Sequence, residues 1–188
     1  MKRAFLIHGW EGRPDGNWFP WLSLELKARG WEVNAPQMPS SKTPDTKAWV
    51  DFLRKYVGRC DLNTYFVGHS FGCATIARYL AELPPKSKAG GVLFVAGFSG
   101  KLIIPDFANF DLPIEAGLSR KQCGKFVCIF SDNDTDVPLE KSLVFAKELG
   151  AKTILERGKG HFCTSDGVTA LPSVLSSLLK MTELNAKR

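Results

Sequence analysis

Residues 68 to 72 read Gly-His-Ser-Phe-Gly and follow directly on the apolar run Thr64-Tyr65-Phe66-Val67. A serine between glycines at this spacing, where a strand gives way to a helix, is the pattern of a nucleophile elbow. The chemistry explains the residue types. A nucleophilic serine is held on a strained turn that leaves its hydroxyl clear of the sheet, and side chains at the two flanking positions would collide with strand and helix. Gly68 and Gly72 remove both collisions, which makes Ser70 the candidate nucleophile.

A serine hydroxyl attacks poorly at neutral pH unless an adjacent base, itself oriented by a third group, takes its proton. Three histidines are available. His69 lies inside the elbow, with its side chain expected to point away from that of Ser70. His8 precedes the nucleophile, at the end of the first apolar run. His161, in Gly158-Lys159-Gly160-His161-Phe162, lies just beyond the last one. The chain order serine, acid, histidine therefore selects His161 as the base.

The acid is expected between the two, after a strand and at the same edge of the sheet. Ser131-Asp132-Asn133-Asp134-Thr135-Asp136-Val137-Pro138 offers three aspartates. Asp134 is preferred because Asp-x-x-Val-Pro is the familiar arrangement for such an acid, with Asp132 second and Asp136 third. Aspartates without that role are suited to capping turns or the following helix. An oxyanion hole needs two backbone N–H donors aimed at the developing charge. Phe71, next after the nucleophile, and Trp10, in the His8-Gly9-Trp10 segment after the first strand, are the expected donors.

These residues need a sheet to hold them. Short apolar runs alternate with helical patterns, which predicts repeated β-α units and a mostly parallel sheet of about six strands, with helices on both faces. The strands are expected at Ala4 to His8, Glu32 to Ala35, Thr64 to Val67, Gly91 to Ala96, Phe126 to Phe130 and Lys152 to Glu156. Helices are expected over Trp18 to Arg29, stopped by Gly30, and from Thr43-Pro44-Asp45 with an inward stripe of Trp49, Phe52, Leu53 and Tyr56. Three more run from the elbow towards Leu83, over Leu139 to Leu149, and at the C-terminus, where Val168, Leu171, Leu175 and Leu178 share a face. Residues 98 to 124 hold Pro105 and Pro113 and show no sustained period. They are expected to form either a small cap over the site or an irregular crossover.

The length of 188 residues, with 44% hydrophobic and 23% charged, fits a single globular domain spanning 1–188. The apolar run after Met1-Lys2-Arg3 stops at His8-Gly9, too short for a signal peptide, and no stretch approaches a membrane-spanning length. Five cysteines (Cys60, Cys73, Cys123, Cys128, Cys163) have no metal-ligand spacing and an odd count, which favours reduced thiols in a cytoplasmic protein. The net charge of +6 comes from scattered Lys and Arg, so no nucleic-acid partner is expected. Aromatics gather around the expected site (Trp10, Trp18, Phe19, Trp21, Phe71, Phe162), either as an acyl pocket or as packing between helix and sheet.

With these residues placed, the chain resembles the small serine hydrolases related to retinoblastoma-binding protein 9 and to bacterial YdeN-like proteins. The likeness rests on Leu6-Ile7-His8-Gly9-Trp10, Asn17-Trp18-Phe19-Pro20-Trp21-Leu22, Gly68 to Gly72, and Asp134 to Pro138 with Gly160-His161. It implies a minimal α/β-hydrolase fold that lacks the two N-terminal strands of larger members. It also implies esterase-type activity on small acyl esters through a triad falling on Ser70, Asp134 and His161. The chain has no Leu-x-Cys-x-Glu run, so an interaction with the retinoblastoma pocket does not carry over.

The expected activity is therefore that of a serine carboxylesterase on a small, accessible acyl ester, with no metal and no organic cofactor. Two alternatives use the same fold: a non-catalytic binding protein, and an acyltransferase that delivers the acyl group to an acceptor other than water. The sequence names no protein partner.

Overall fold

The computed structural model describes residues 1–104 and 108–186. Along the chain lie β1 (Arg3–Ile7), α1 (Phe19–Lys27), β2 (Glu32–Asn34), α2 (Thr46–Val57), β3 (Thr64–His69), α3 (Phe71–Ala81) and β4 (Gly91–Val95). There follow β5 (Gly100–Ile104), β6 (Ala108–Leu112), α4 (Ala116–Gln122), β7 (Phe126–Ser131), α5 (Leu139–Leu149), β8 (Lys152–Glu156) and α6 (Pro172–Ala186). The six strands expected from the apolar runs pair in parallel in the order β2-β1-β3-β4-β7-β8.

Side chains alternate along each strand and divide between two cores. Phe5, Ile7, Phe66, Val92, Phe94, Phe126 and Cys128 enter the core that α2, α3 and α5 cover. Ala4, Leu6, Tyr65, Val67, Leu93, Val95, Val127 and Ile129 enter the core under α1 and α6. Burial on both faces is why these strands read as continuous apolar runs.

The strand order reverses between β1 and β3: the chain leaves β1 towards β2 on one side and returns to β3 on the other. A crevice opens at such a reversal, outside the carboxyl ends of the strands. Ser70 follows β3, Gly9 and Trp10 follow β1, Asp134 follows β7 and His161 follows β8, so every predicted site residue falls at this edge.

Several details differ from the sequence reading. The helix α2 starts where expected, with the Asp45 carboxylate accepting the Ala48 N–H at 2.6 Å, but its buried face is Trp49, Val50, Leu53 and Val57. Tyr56 is 43% exposed because the inward stripe is rotated by one position from the predicted one. Val168 and Leu171 are buried but precede α6, whose own inward residues include Val174, Leu178 and Met181. Within residues 98 to 124, β5 and β6 form an antiparallel pair and α4 packs beside α3 and α5. Pro105 lies outside the described residues. No helix among the described residues is long and apolar enough to cross a membrane.

Candidate active site

The backbone of Ser70 sits at φ 52°, ψ −122°, a conformation that costs a non-glycine residue about 1–3 kcal/mol. The turn is held by the Ser70 N–H donating to Val95 O at 2.9 Å and by Ser70 O accepting from the Cys73 N–H at 2.9 Å. The flanking glycines have the steric reasons expected of an elbow. A Cβ at Gly68 would lie 2.9 Å from the Cys73 backbone, and one at Gly72 would overlap the carbonyl oxygens of Ile7 and His8. Gly9 presses against the serine in the same way, since a Cβ there would come 2.8 Å from Ser70 Cβ.

The loops after β7 and β8 are laced together almost residue by residue. Asp132 accepts the Gly158 N–H at 2.8 Å and meets the Arg157 guanidinium at 3.3 Å. The Ser131 hydroxyl accepts the Lys159 N–H at 2.9 Å and donates to Asn133 Oδ1 at 2.7 Å, which also accepts the Gly160 N–H at 2.8 Å. Asp134 then meets His161, whose Nδ1–H donates to Oδ2 at 2.9 Å and Oδ1 at 3.1 Å. Asp134 Oδ1 is itself pinned by the N–H groups of Asp136 and Val137, each at 2.9 Å. Among the three aspartates the hydrogen bond to His161 is thus made by Asp134. Asp132 braces the loop, and Asp136 Oδ2 lies 4.0 Å from His161 Nε2 at the rim.

On either side of His161 the chain turns sharply. Gly160 and Phe162 take φ of 52° and 60°, and a Cβ on Gly160 would overlap the Asp166 carboxylate. That carboxylate accepts the Cys163 N–H at 2.9 Å, and Asn17 Oδ1 accepts the Thr164 N–H at 2.9 Å. The tryptophan-rich segment after β1 is thereby tied to the histidine loop.

Ser70, His161, Trp10 and His69 line one cavity of about 340 Å³. Gly9, Gly12, Gly16 and Asn17 form one wall, while Arg13, Glu11 and Asp136 bring charge to it. The apolar wall is Leu102 and Ile104 of β5, a contribution invisible in the sequence because residues 98 to 124 show no period. Of the aromatics expected near the site, Trp18, Phe19, Phe71 and Phe162 are buried in the core and Trp21 packs against it. Trp10 alone among them lines the cavity, where its indole N–H donates to Lys42 O at 3.0 Å. Phe71 opens α3, so its amide lies at the positive end of that helix.

The three histidines differ electrically. For His161, burial opposes the charged form, but the hydrogen bond to Asp134 and the charges of Asp134, Asp136 and Asp166 outweigh it and raise its pKa above the ordinary value. Full burial and the neighbouring His161 drive His69 down to about 3. Burial also lowers His8, whose Nδ1–H donates to Gly9 O at 2.8 Å and whose Nε2 accepts the Met38 N–H at 3.0 Å. His8 thus anchors the loop after β1 and is spent in doing so. Cys163 lines the cavity too, but burial and the charges of Asp166, Asp136 and Asp134 push its thiol to about 12, which disfavours a competing thiolate. Among the described residues no group of three or more His, Cys, Asp or Glu side chains is arranged to hold a metal ion.

A family model described as serine hydrolase matches residues 4–180. YdeN of Bacillus subtilis (strain 168) is 32% identical over 185 residues, covering 94% of each chain. The crystal structure of the ydeN gene product from B. subtilis superposes with a TM-score of 0.89 at 29% identity, over 97% of this chain and 100% of that one. A hydrolase of the α/β superfamily from Xanthomonas campestris pv. campestris gives a TM-score of 0.66 at 15% identity, covering both chains in full (100%). Est1E from Butyrivibrio proteoclasticus, solved with ferulic acid bound, gives 0.68 at 15% identity over 95% of this chain and 90% of that one. At 15% identity the last two speak to the α/β-hydrolase fold alone.

Proposed function

The chain belongs to the serine hydrolase family, and from that premise we propose that it is a carboxylesterase-like enzyme that cleaves small acyl esters through Ser70, His161 and Asp134. The observation that carries this reading is that His161, hydrogen-bonded to Asp134, lines the same cavity as a strained serine.

Ser70 Oγ attacks the ester carbonyl as its proton passes to His161 Nε2, the nitrogen left unprotonated when Nδ1–H is bonded to Asp134. The carbonyl oxygen becomes an oxyanion held by the Phe71 and Trp10 amides, each such donor contributing about 10²–10³ in rate. The imidazolium, steadied by Asp134, gives its proton to the leaving alkoxide, and the C–O bond breaks to leave an acyl-enzyme. Water then attacks the acyl carbon, His161 takes its proton and returns it to Ser70 Oγ, and the carboxylic acid leaves. No step requires a metal or an organic cofactor.

The test is turnover of p-nitrophenyl esters from acetyl to octanoyl by the purified protein. Release of nitrophenol with formation of the free acid supports the reading, and no turnover of any ester by folded protein refutes it.

The pH dependence follows from His161. As the base it must be neutral, so kcat/KM rises with pH through a value above the ordinary histidine value. An acid limb at or below that ordinary value in a pH–rate profile would contradict the assigned environment. Stability has the opposite sign. A histidine raised in the folded state stabilises most fully below its unfolded pKa, and that contribution is lost as pH rises through the folded one.

Leu102 and Ile104 are proposed as the acyl-facing wall. Ile104 is only partly buried, so Ile104→Ala opens the cavity at little cost to the core. We expect the hexanoyl-to-acetyl ratio of kcat/KM to rise about 10-fold, the scale of one or two methylenes in an apolar pocket. An unchanged ratio would remove β5 from the substrate wall.

A further inference from the structure

His69 has no step in the mechanism above, yet it is buried beside the site, at 4% exposure. It ends β3, immediately before the nucleophile, and its ring lies 4.9 Å from that of His161 at an interplanar angle of 44°. Its Nε2 is 2.8 Å from the main-chain oxygen of His161, across 92 residues of sequence. A carbonyl oxygen only accepts, so Nε2 carries the proton. Trp18, fully buried, packs edge-on against the ring at 6.1 Å.

We infer that His69 is a positioning residue: its Nε2–H fixes the backbone of His161 and so holds the proposed base in the cavity that Ser70, one residue further along from His69, also lines. The inference rests on the proposed hydrolase reading and deepens it. The strand that carries the nucleophile thereby also holds the loop that carries the base, and the two cannot drift apart independently. Displacing a catalytic group by about 1 Å can cost 10²-fold in rate, so one backbone hydrogen bond placed here matters more than its contribution to stability.

The chemistry of the ring suits the task. Burial first, and the nearby His161 second, hold His69 neutral at any working pH. A cation there would oppose the imidazolium that forms on His161 during each turnover. The charged or titratable groups facing His161 are Asp134 and Asp136 after β7, Asp166 and Cys163 after β8, and His69 itself; those facing His69 are His161, Asp134 and His8. The carboxylates favour the charged base, and His69 contributes a donor and no charge.

Glutamine and methionine have nearly the same length and shape, but only glutamine keeps an N–H donor near the position of Nε2. The experiment compares His69→Gln and His69→Met, with active sites counted by fluorophosphonate titration. Expected for His69→Met is a 10- to 100-fold lower kcat per titrated site, KM within about twofold of wild type, and an acid limb moved to lower pH as His161 loosens from Asp134. His69→Gln should retain most of the wild-type kcat and limb. Equal kcat and an unmoved limb in His69→Met would overturn the inference, as would a glutamine variant no better than the methionine one.

A measurement on the unmodified protein needs neither variant to fold. Ring nitrogen NMR of the wild type should show His69 protonated at Nε2 and not titrating from about pH 5 to 9, while His161 titrates above its ordinary value. A titrating His69, or one protonated at Nδ1, overturns the inference. Should no ester be turned over while His69 keeps this signature and His161 titrates lower in His69→Met, the hydrolase reading fails and the positioning role stands.

Discussion

Ser70→Ala is expected to lower kcat for ester hydrolysis by about 10⁶-fold and to leave the fold unchanged. The hydroxyl is the group that forms the acyl bond, and no second nucleophile in the cavity can take its place. Cys163 lies there, but its thiol is pushed to about 12 and is paired with Asn17 Nδ2 at 3.8 Å. The residual rate should be the part that oxyanion donors and substrate binding supply without a nucleophile, about 10³ over water. The turn is secured by backbone bonds to Val95 and Cys73 and by Gly68 and Gly72, none of which involves the hydroxyl. The measurement is kcat alongside thermal melting. A melting curve like the wild type's with activity reduced less than about 10-fold would remove Ser70 from the chemistry.

Asp134→Asn is expected to lower kcat by about 10⁴-fold, and the reason lies in which oxygen is already occupied. Oδ1 is held by the N–H groups of Asp136 and Val137, so the asparagine carbonyl is obliged to take that position. Its NH₂ group then faces His161 Nδ1 where Oδ2 stood, at 2.9 Å. A donor facing Nδ1 requires that nitrogen to be unprotonated, and the proton moves to Nε2. The base then presents N–H instead of a lone pair to the serine hydroxyl. Lost charge stabilisation adds to this, since the carboxylate is among the groups that raise the His161 pKa. The prediction has two readouts: kcat, and an acid limb moved downward in pH. By contrast Asp132→Asn keeps an oxygen for the Gly158 N–H and loses only an exposed ion pair with Arg157, so its activity should fall less than about tenfold. If the two substitutions were equally damaging, the role given to Asp134 would belong to the loop as a whole.

The parts of this molecule that were readable in its sequence are those where one physical demand acts on consecutive residues. The sheet is the clearest case. Strands buried on both faces must be apolar at every position, as in Val92-Leu93-Phe94-Val95. Elbow glycines are legible for a similar reason, because collisions with Cys73 and with Ile7 and His8 leave no alternative residue.

Legibility failed where a residue's partner is remote. Nothing in the local pattern tells that Asn133 will hold Gly160 or that His69 will hold the carbonyl of His161. Both are set by the approach of β3, β7 and β8 at one edge. The β5–β6 pair was hidden because Lys101 and Ile103 are exposed while Leu102 is buried, an alternation too short to register as a period of two. The inward face of α2 was misplaced by one position because Tyr56 is apolar enough to join a stripe on paper, yet its ring lies at the surface against Phe5 and Phe52.

The proposed chemistry turns on an activated Ser70 whose base is His161. Treating wild type, Ser70→Ala and His161→Ala with a fluorophosphonate and locating the adduct by mass spectrometry tests that pairing. One adduct is expected in the wild type, on the peptide that contains Ser70, with none in Ser70→Ala and labelling slowed by orders of magnitude in His161→Ala. Folded wild type that takes up no label, or a label on any other residue, would contradict it.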